Sequence, residues 1–209
     1  LDNEKQLKIE LANALSHGFG ILLILAFSPL LIFKAYHSQI EYLPHAVSMY
    51  VLSLLMVFTF STIYHATPNV LAKGILRRFD HISIFFLIGG TYLPFVLVHA
   101  DPQRAQLLLG IQWVVILAGI INKVWFTGRF RLLSSMVYIG LGAMVLLMGE
   151  KFWASLPDLS IYLLIGGGLV YFFGVYFYQS TRWTYNHFVW HMFVLTAAVL
   201  HFLAVYFSF

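Results

Sequence analysis

The chain has 209 residues, of which 61% are hydrophobic and only 10% charged, and 12 basic against 8 acidic residues give a net charge of +4. A soluble domain carries about 25% charged residues, so a water-facing surface of ordinary size is excluded and an integral membrane protein is expected. The absence of cysteine removes disulfide frameworks, thiolate metal sites and thiol nucleophiles, and the spans leave no room for a soluble enzyme domain or a nucleic-acid module.

A helix crossing a hydrocarbon core of about 30 Å needs about 20 apolar residues. Stretches free of Asp, Glu, Lys and Arg fall at roughly 11–33, 44–64, 82–99, 106–122, 132–149, 159–181 and 183–209. They predict an all-α protein of seven transmembrane helices in a single domain, 1–209. Apolar runs such as 51–60 and 132–148 show no sustained in-and-out alternation, against a β-barrel. The first ten residues mix acids and bases, and the apolar run behind them lacks a small-residue cleavage site, so no removable leader is expected.

The basic residues give the orientation. Lys5 and Lys8 precede the first span; Lys73, Arg77 and Arg78 lie between the second and third; Lys123, Arg129 and Arg131 between the fourth and fifth; Arg182 between the sixth and seventh. Those nine fall on one side of the membrane, against Lys34, Arg104 and Lys151 on the other. An excess of Lys and Arg marks the cytoplasmic side, which predicts an inside N-terminus and an outside C-terminus.

Ionisable and polar groups at membrane depth are costly and mark function by default. In chain order they are Glu10, Asn13 and His17 opening the first span, Ser61 and His65 closing the second, Asp80 and His81 opening the third, and His187 and His191 opening the seventh. Because successive spans alternate direction, all four groups gather in one leaflet whichever way up the chain sits.

Three of these residues form a metal constellation. His187 and His191 are spaced i, i+4, which stacks both imidazoles on one helical face about 6 Å apart, and His65 supplies a third nitrogen from the second span. Three neutral histidines with one free position is the open tetrahedral arrangement of catalytic zinc, which brings the pKa of a bound water to about 7. Ser61 lies one turn before His65 on the same face. Asp80 is the nearest carboxylate, suited to proton transfer or to orienting a ligand histidine, although a salt bridge to Arg77 or Arg78 explains it equally well. The histidine pair alone would fit interfacial hydrogen bonding; the added His65, Ser61 and Asp80 favour the metal.

Glu10, Asn13 and His17 share a face and read as a structural hydrogen-bond cluster, and a glutamate at a helix start also suits the helix dipole. His81, adjacent to Asp80, points about 100° away and is left out of the metal site. His37, His45 and His99 fall near the outer interface. His201 follows His187 by fourteen residues, on nearly the same face but about 21 Å further along, where it either lines a polar cavity or caps a carbonyl. Gly89 and Gly90, Gly140 and Gly142, and Gly166 to Gly168 allow close helix approach or kinks, and a lateral lipid opening between the fifth and sixth spans is conceivable.

The ordered set Glu10-x-x-Asn13-x-x-Ser16-His17, Ser61-x-x-Tyr64-His65, Arg78-Phe79-Asp80-His81 with Gly89-Gly90-Thr91-Tyr92-x-Pro94-Phe95, and Asn186-His187-x-x-Trp190-His191 with His201-Phe202 resembles the hemolysin III (TrhA-type) proteins. These are the bacterial branch of the progestin and adipoQ receptor family, which includes the adiponectin receptors. The resemblance covers about residues 8–205. It implies seven helices with the N-terminus inside, a bacterial inner-membrane location, and zinc held by His65, His187 and His191 with Asp80 and Ser61 near its water. In the receptor branch it points to ceramide hydrolysis, and in the bacterial branch to membrane lipid or energy homeostasis, with the haemolysin name pointing to effects on membranes.

Three functions follow as expectations. The first is a zinc-dependent hydrolase of lipid amides or esters in the inner leaflet, with Asp80 as general base and then acid. The second is a non-enzymatic sensor or receptor-like regulator with structural zinc. The third is a pore-forming cytolysin or transporter, against which no span carries a charged stripe.

Overall fold

The computed structural model describes residues 3–209; Leu1 and Asp2, the first residues of the expected domain, lie outside the described residues. The elements are α1 (Asn3–His37), α2 (Leu43–Ala66), α3 (Val70–His99), α4 (Pro102–Phe126), α5 (Arg131–Ala143), a 3-10 turn (Met144–Leu147), α6 (Glu150–Ser155), α7 (Asp158–Gln179) and α8 (Asn186–Phe207). Among the described residues there are helices and no strands, as the lack of alternation predicts.

Six helices, α1 to α4, α7 and α8, are long and apolar enough to cross a membrane. The fifth expected span, 132–149, takes a different form. Its apolar helix Arg131–Leu147 is shorter, because the α-helix ends at Ala143 and tightens into the 3-10 turn. Gly149, at φ +88, then turns the chain into α6, a conformation that suits glycine.

Two other boundaries differ from expectation. α1 begins at Asn3, with Lys8 paired to Glu4 one turn away, so its charged opening is helical. α3 begins at Val70 because Asn69 caps it, its side chain accepting from the Ala72 amide at 2.9 Å. Lys73, Arg77 and Arg78 therefore stand on α3 rather than in a loop, and Asp80 lies well inside the helix.

The surface is apolar and the interior holds polar groups, the reverse of a soluble fold. Leu22, Leu25, Leu30, Val114 and Leu169 are exposed, while Asn13, His17, Ser61, His65, Gln112 and His191 are buried. That distribution suits a lipid solvent that can satisfy no polar group. α1 packs against both α2 and α8, α2 against α3, and α7 against α8, with α5 between α3 and α7. The start of α1, the end of α2 and the start of α8 consequently meet at one end of the bundle.

Of the glycines singled out, Gly90 and Gly167 make close approaches: a Cβ at Gly90 would lie 2.5 Å from Ser53 Oγ, and one at Gly167 2.5 Å from His201 Nε2 and 3.2 Å from the Ala197 carbonyl. Gly140, Gly142, Gly166 and Gly168 have open space beside them, so they make no such helix contact.

Candidate metal centre

α2 delivers His65 at its last turn and α8 delivers His187 and His191 from its first two turns. His65 and His191 are buried and His187 half-buried. His187 Nε2 lies 3.3 Å from His65 Nε2 and 3.1 Å from His191 Nε2. Ligand atoms of all three lie within 4.8 Å of one another.

Neighbouring groups fix the tautomers. His65 Nδ1 lies 3.0 Å from Glu10 Oε2, an acceptor, so Nδ1 carries the proton and Nε2 the lone pair. His191 Nδ1 lies 3.2 Å from the Asn13 carbonyl, with the same result. Ser16 Oγ, 3.1 Å from His191 Nδ1, donates its own proton to that carbonyl at 2.7 Å. Lone pairs on His65 and His191 Nε2 thus converge on His187 Nε2. With the lone pairs of His65 and His191 Nε2 aimed at one point beside His187 Nε2, the triad could hold a metal ion.

The sequence-predicted partners assemble unevenly around this centre. Ser61 is buried one turn before His65, its hydroxyl beside the Asp80 carboxylate, and it lines a cavity together with Asp80, His187 and His191. Among the described residues Asp80 forms no ion pair with Arg77 or Arg78; its Oδ2 lies 3.7 Å from Nδ1 of the His81 ring. The carboxylate within hydrogen-bond distance of a triad histidine is Glu10, not Asp80.

His81 stays outside the triad, Nδ1 on the Arg77 carbonyl at 2.7 Å and Nε2 near Tyr178 Oη at 3.4 Å. His99 is bonded to Ser155 and Ser208 and His37 to the Phe33 carbonyl. His201 does both things considered for it, donating to the Leu164 carbonyl at 3.1 Å and lining the cavity.

The cluster expected on α1 is dispersed. Glu10 reaches His65 and Lys73, the Asn13 carbonyl receives His191, and His17 stacks on His191. Sequence spacing put these residues on one face of α1 but gave no sign that the face lies between α2 and α8.

The cavity has a volume of about 470 Å³ and runs from His187, His191, Ser61 and Asp80 to Phe152, Trp153 and His201, with a wall that is almost wholly apolar. By helix rise His201 stands about 21 Å from His187 along α8, so the cavity is deep as well as roomy. Such a volume is typical of small-molecule sites.

Residues 5–202 match the family described as Haemolysin-III related. The chain belongs to that family. It is 36% identical to the "Hemolysin-3 homolog" of Bacillus subtilis (strain 168), over 96% of this chain and 94% of the relative. It is 32% identical to "Hemolysin-3" of Bacillus cereus, over 96% and 91%. A more distant similarity, 25% identity over 76% of this chain and 68% of the relative, joins it to the "Monocyte to macrophage differentiation factor" of Homo sapiens, a member of the progestin and adipoQ receptor family. The resemblance read from the motifs therefore holds, and with the apolar helices it makes this haemolysin-III related chain a multi-pass membrane protein.

Proposed function

We propose that the chain is a zinc-dependent hydrolase of lipid amides or esters in the bacterial inner membrane, with a part in membrane lipid homeostasis. The observation carrying the proposal is a cavity that has two of the three triad histidines, His187 and His191, with Ser61 and Asp80 at one end and an apolar wall beyond. Zinc suits the donors: three imidazoles in a chain without cysteine, with two Nε2 separations of 3.3 and 3.1 Å. Tetrahedral zinc with Zn–N bonds of about 2.0–2.1 Å spaces its nitrogens by about 3.3 Å.

Bound zinc supplies a Lewis acid that polarises a carbonyl and acidifies water. The chain's own groups do the rest. The apolar wall takes the acyl chain and sets the carbonyl beside the triad. Asp80 accepts the proton of the attacking water at a carboxylate oxygen and returns it to the leaving amine or alcohol. Ser61 Oγ, which lines the same cavity beside Asp80, donates to the carbonyl oxygen as negative charge develops there.

We further place this chemistry in the inner leaflet of a single seven-span domain, with the N-terminus inside. The nine-to-three division of basic residues supports that orientation, and Arg131–Leu147 is counted as the shortened fifth span.

The test is metal analysis of detergent-purified protein with lipidomic comparison of wild type and Asp80→Asn. The expected result is zinc near one per chain in both proteins and loss of lipid turnover in the variant alone. Metal-free wild type, carefully purified, would sink the reading; zinc retained with an unchanged lipid profile would replace it by the sensor.

A further inference from the structure

α1 contributes no nitrogen to the triad, yet it contacts two of the three histidines. Glu10 is the charged member of that contact. Its Oε2 lies 3.0 Å from His65 Nδ1 and 2.7 Å from Lys73 Nζ, so a single oxygen serves a candidate ligand on α2 and a lysine on α3. Lys73 is held there by the face of Tyr64 as well, 5.1 Å from the ring centroid. Were Glu10 present only to pair Lys73, nothing would require the same oxygen to face a histidine whose side chain is 3% exposed. Water cannot replace the carboxylate at so covered a nitrogen.

The two oriented histidines differ in what holds them. His191 Nδ1 meets neutral oxygens, the Asn13 carbonyl and the Ser16 hydroxyl, whereas His65 Nδ1 meets a carboxylate. An imidazole whose N–H is held by a carboxylate is the more basic donor at its other nitrogen. Lys73 opposes this by neutralising part of the charge on Glu10.

We propose that Glu10 is a positioning residue of the metal centre, fixing the His65 ring with its Nε2 lone pair directed at the triad, and that Lys73 sets how strongly His65 donates. The inference rests on the reading that the triad holds a metal.

The test uses the full chain in detergent, with Zn²⁺ affinity read by chelator competition and ligand geometry read by the visible absorption of Co²⁺. Glu10→Gln keeps an acceptor of the same length without the charge, and is expected to weaken affinity about 10–100-fold and to shift the Co²⁺ absorption. Lys73→Met is expected to move affinity the other way, a sign that a merely structural ion pair would not produce, since losing either partner would then act alike. Metal uptake by wild type with unchanged affinity and spectrum in folded Glu10→Gln overturns the positioning role alone. Should Glu10→Gln fail to fold, weakened binding in Lys73→Met, or binding equal to wild type, overturns it. Wild type that takes up neither metal overturns the metal reading and this inference with it.

Discussion

His17 lies flat against His191, ring centroids 3.7 Å apart and planes 15° from parallel. His17 also meets the ring of Phe58 in an edge-type contact, centroids 5.0 Å apart. A ring of α1 is thus wedged between α2 and a candidate ligand on α8, so the plane of the His191 imidazole is set by packing as well as by its hydrogen bond.

Replacing that wedge should loosen the ligand. His17→Ala is expected to weaken metal binding about 10-fold, the lower end of the effect of removing an outer support. His17→Phe, which keeps a flat ring against His191, should recover most of the loss. Chelator competition on the three purified proteins measures it, and equal affinities in all three would dismiss the support.

If the triad holds a metal, its removal should destabilise the fold, because an ion bridging His65 on α2 with His187 and His191 on α8 ties the two helices together. A ligand present at 100 times its dissociation constant stabilises by about 2.7 kcal/mol. The melting temperature in detergent should therefore fall on chelation and recover on adding zinc. Acidification should act in the same direction, since protonated imidazoles cannot ligate. His187→Ala should melt low and no longer respond to chelator.

The triad was legible in sequence and its setting was not, for a physical reason. The i, i+4 spacing of His187 and His191 fixes their shared face, and the alternation of spans fixes the shared end with His65. Both are properties of single helices. Which way Glu10 points depends on the rotation of α1 between two neighbours, and no periodicity within α1 encodes that. The start of α3 was obscured differently: hydropathy reports which residues suit lipid, so Lys73, Arg77 and Arg78 read as a connection, whereas the Asn69 cap starts the helix ahead of them. Likewise the fifth apolar run was plain in the sequence, but not the 3-10 turn that shortens its helix.

Gly167 should be intolerant and Gly166 tolerant. A methyl at Gly167 meets His201 Nε2 and the Ala197 carbonyl, whereas nothing lies within 4 Å of one at Gly166. Gly167→Ala is expected to cost about 1–3 kcal/mol, read as a lower melting temperature; Gly166→Ala should change little. A smaller loss for Gly167→Ala in a His201→Ala background would place the clash at that ring.

If the cavity seats an acyl chain, its free space sets the chain length. Gly168 lines the cavity and has nothing within 4 Å of its side-chain position. Gly168→Leu should shift turnover towards shorter acyl chains while leaving metal content near that of wild type. An unaltered chain-length profile would remove the acyl tail from this cavity.

Ser61→Ala should lower turnover about 100-fold, the usual loss of one donor to a developing oxyanion, with zinc stoichiometry preserved. Loss of zinc in this variant would instead assign the hydroxyl to metal retention.

His65 and His187 are separated by 122 residues of sequence. During synthesis α1 and α2 enter the membrane with Glu10, Asn13, His17 and His65 already in place, long before α8 exists to meet them. The centre therefore cannot close until almost the whole described chain has been threaded. Capture of a metal by this centre would be a late event of assembly, and a chain interrupted before α8 would carry its polar groups in the bilayer without the partners that α8 supplies.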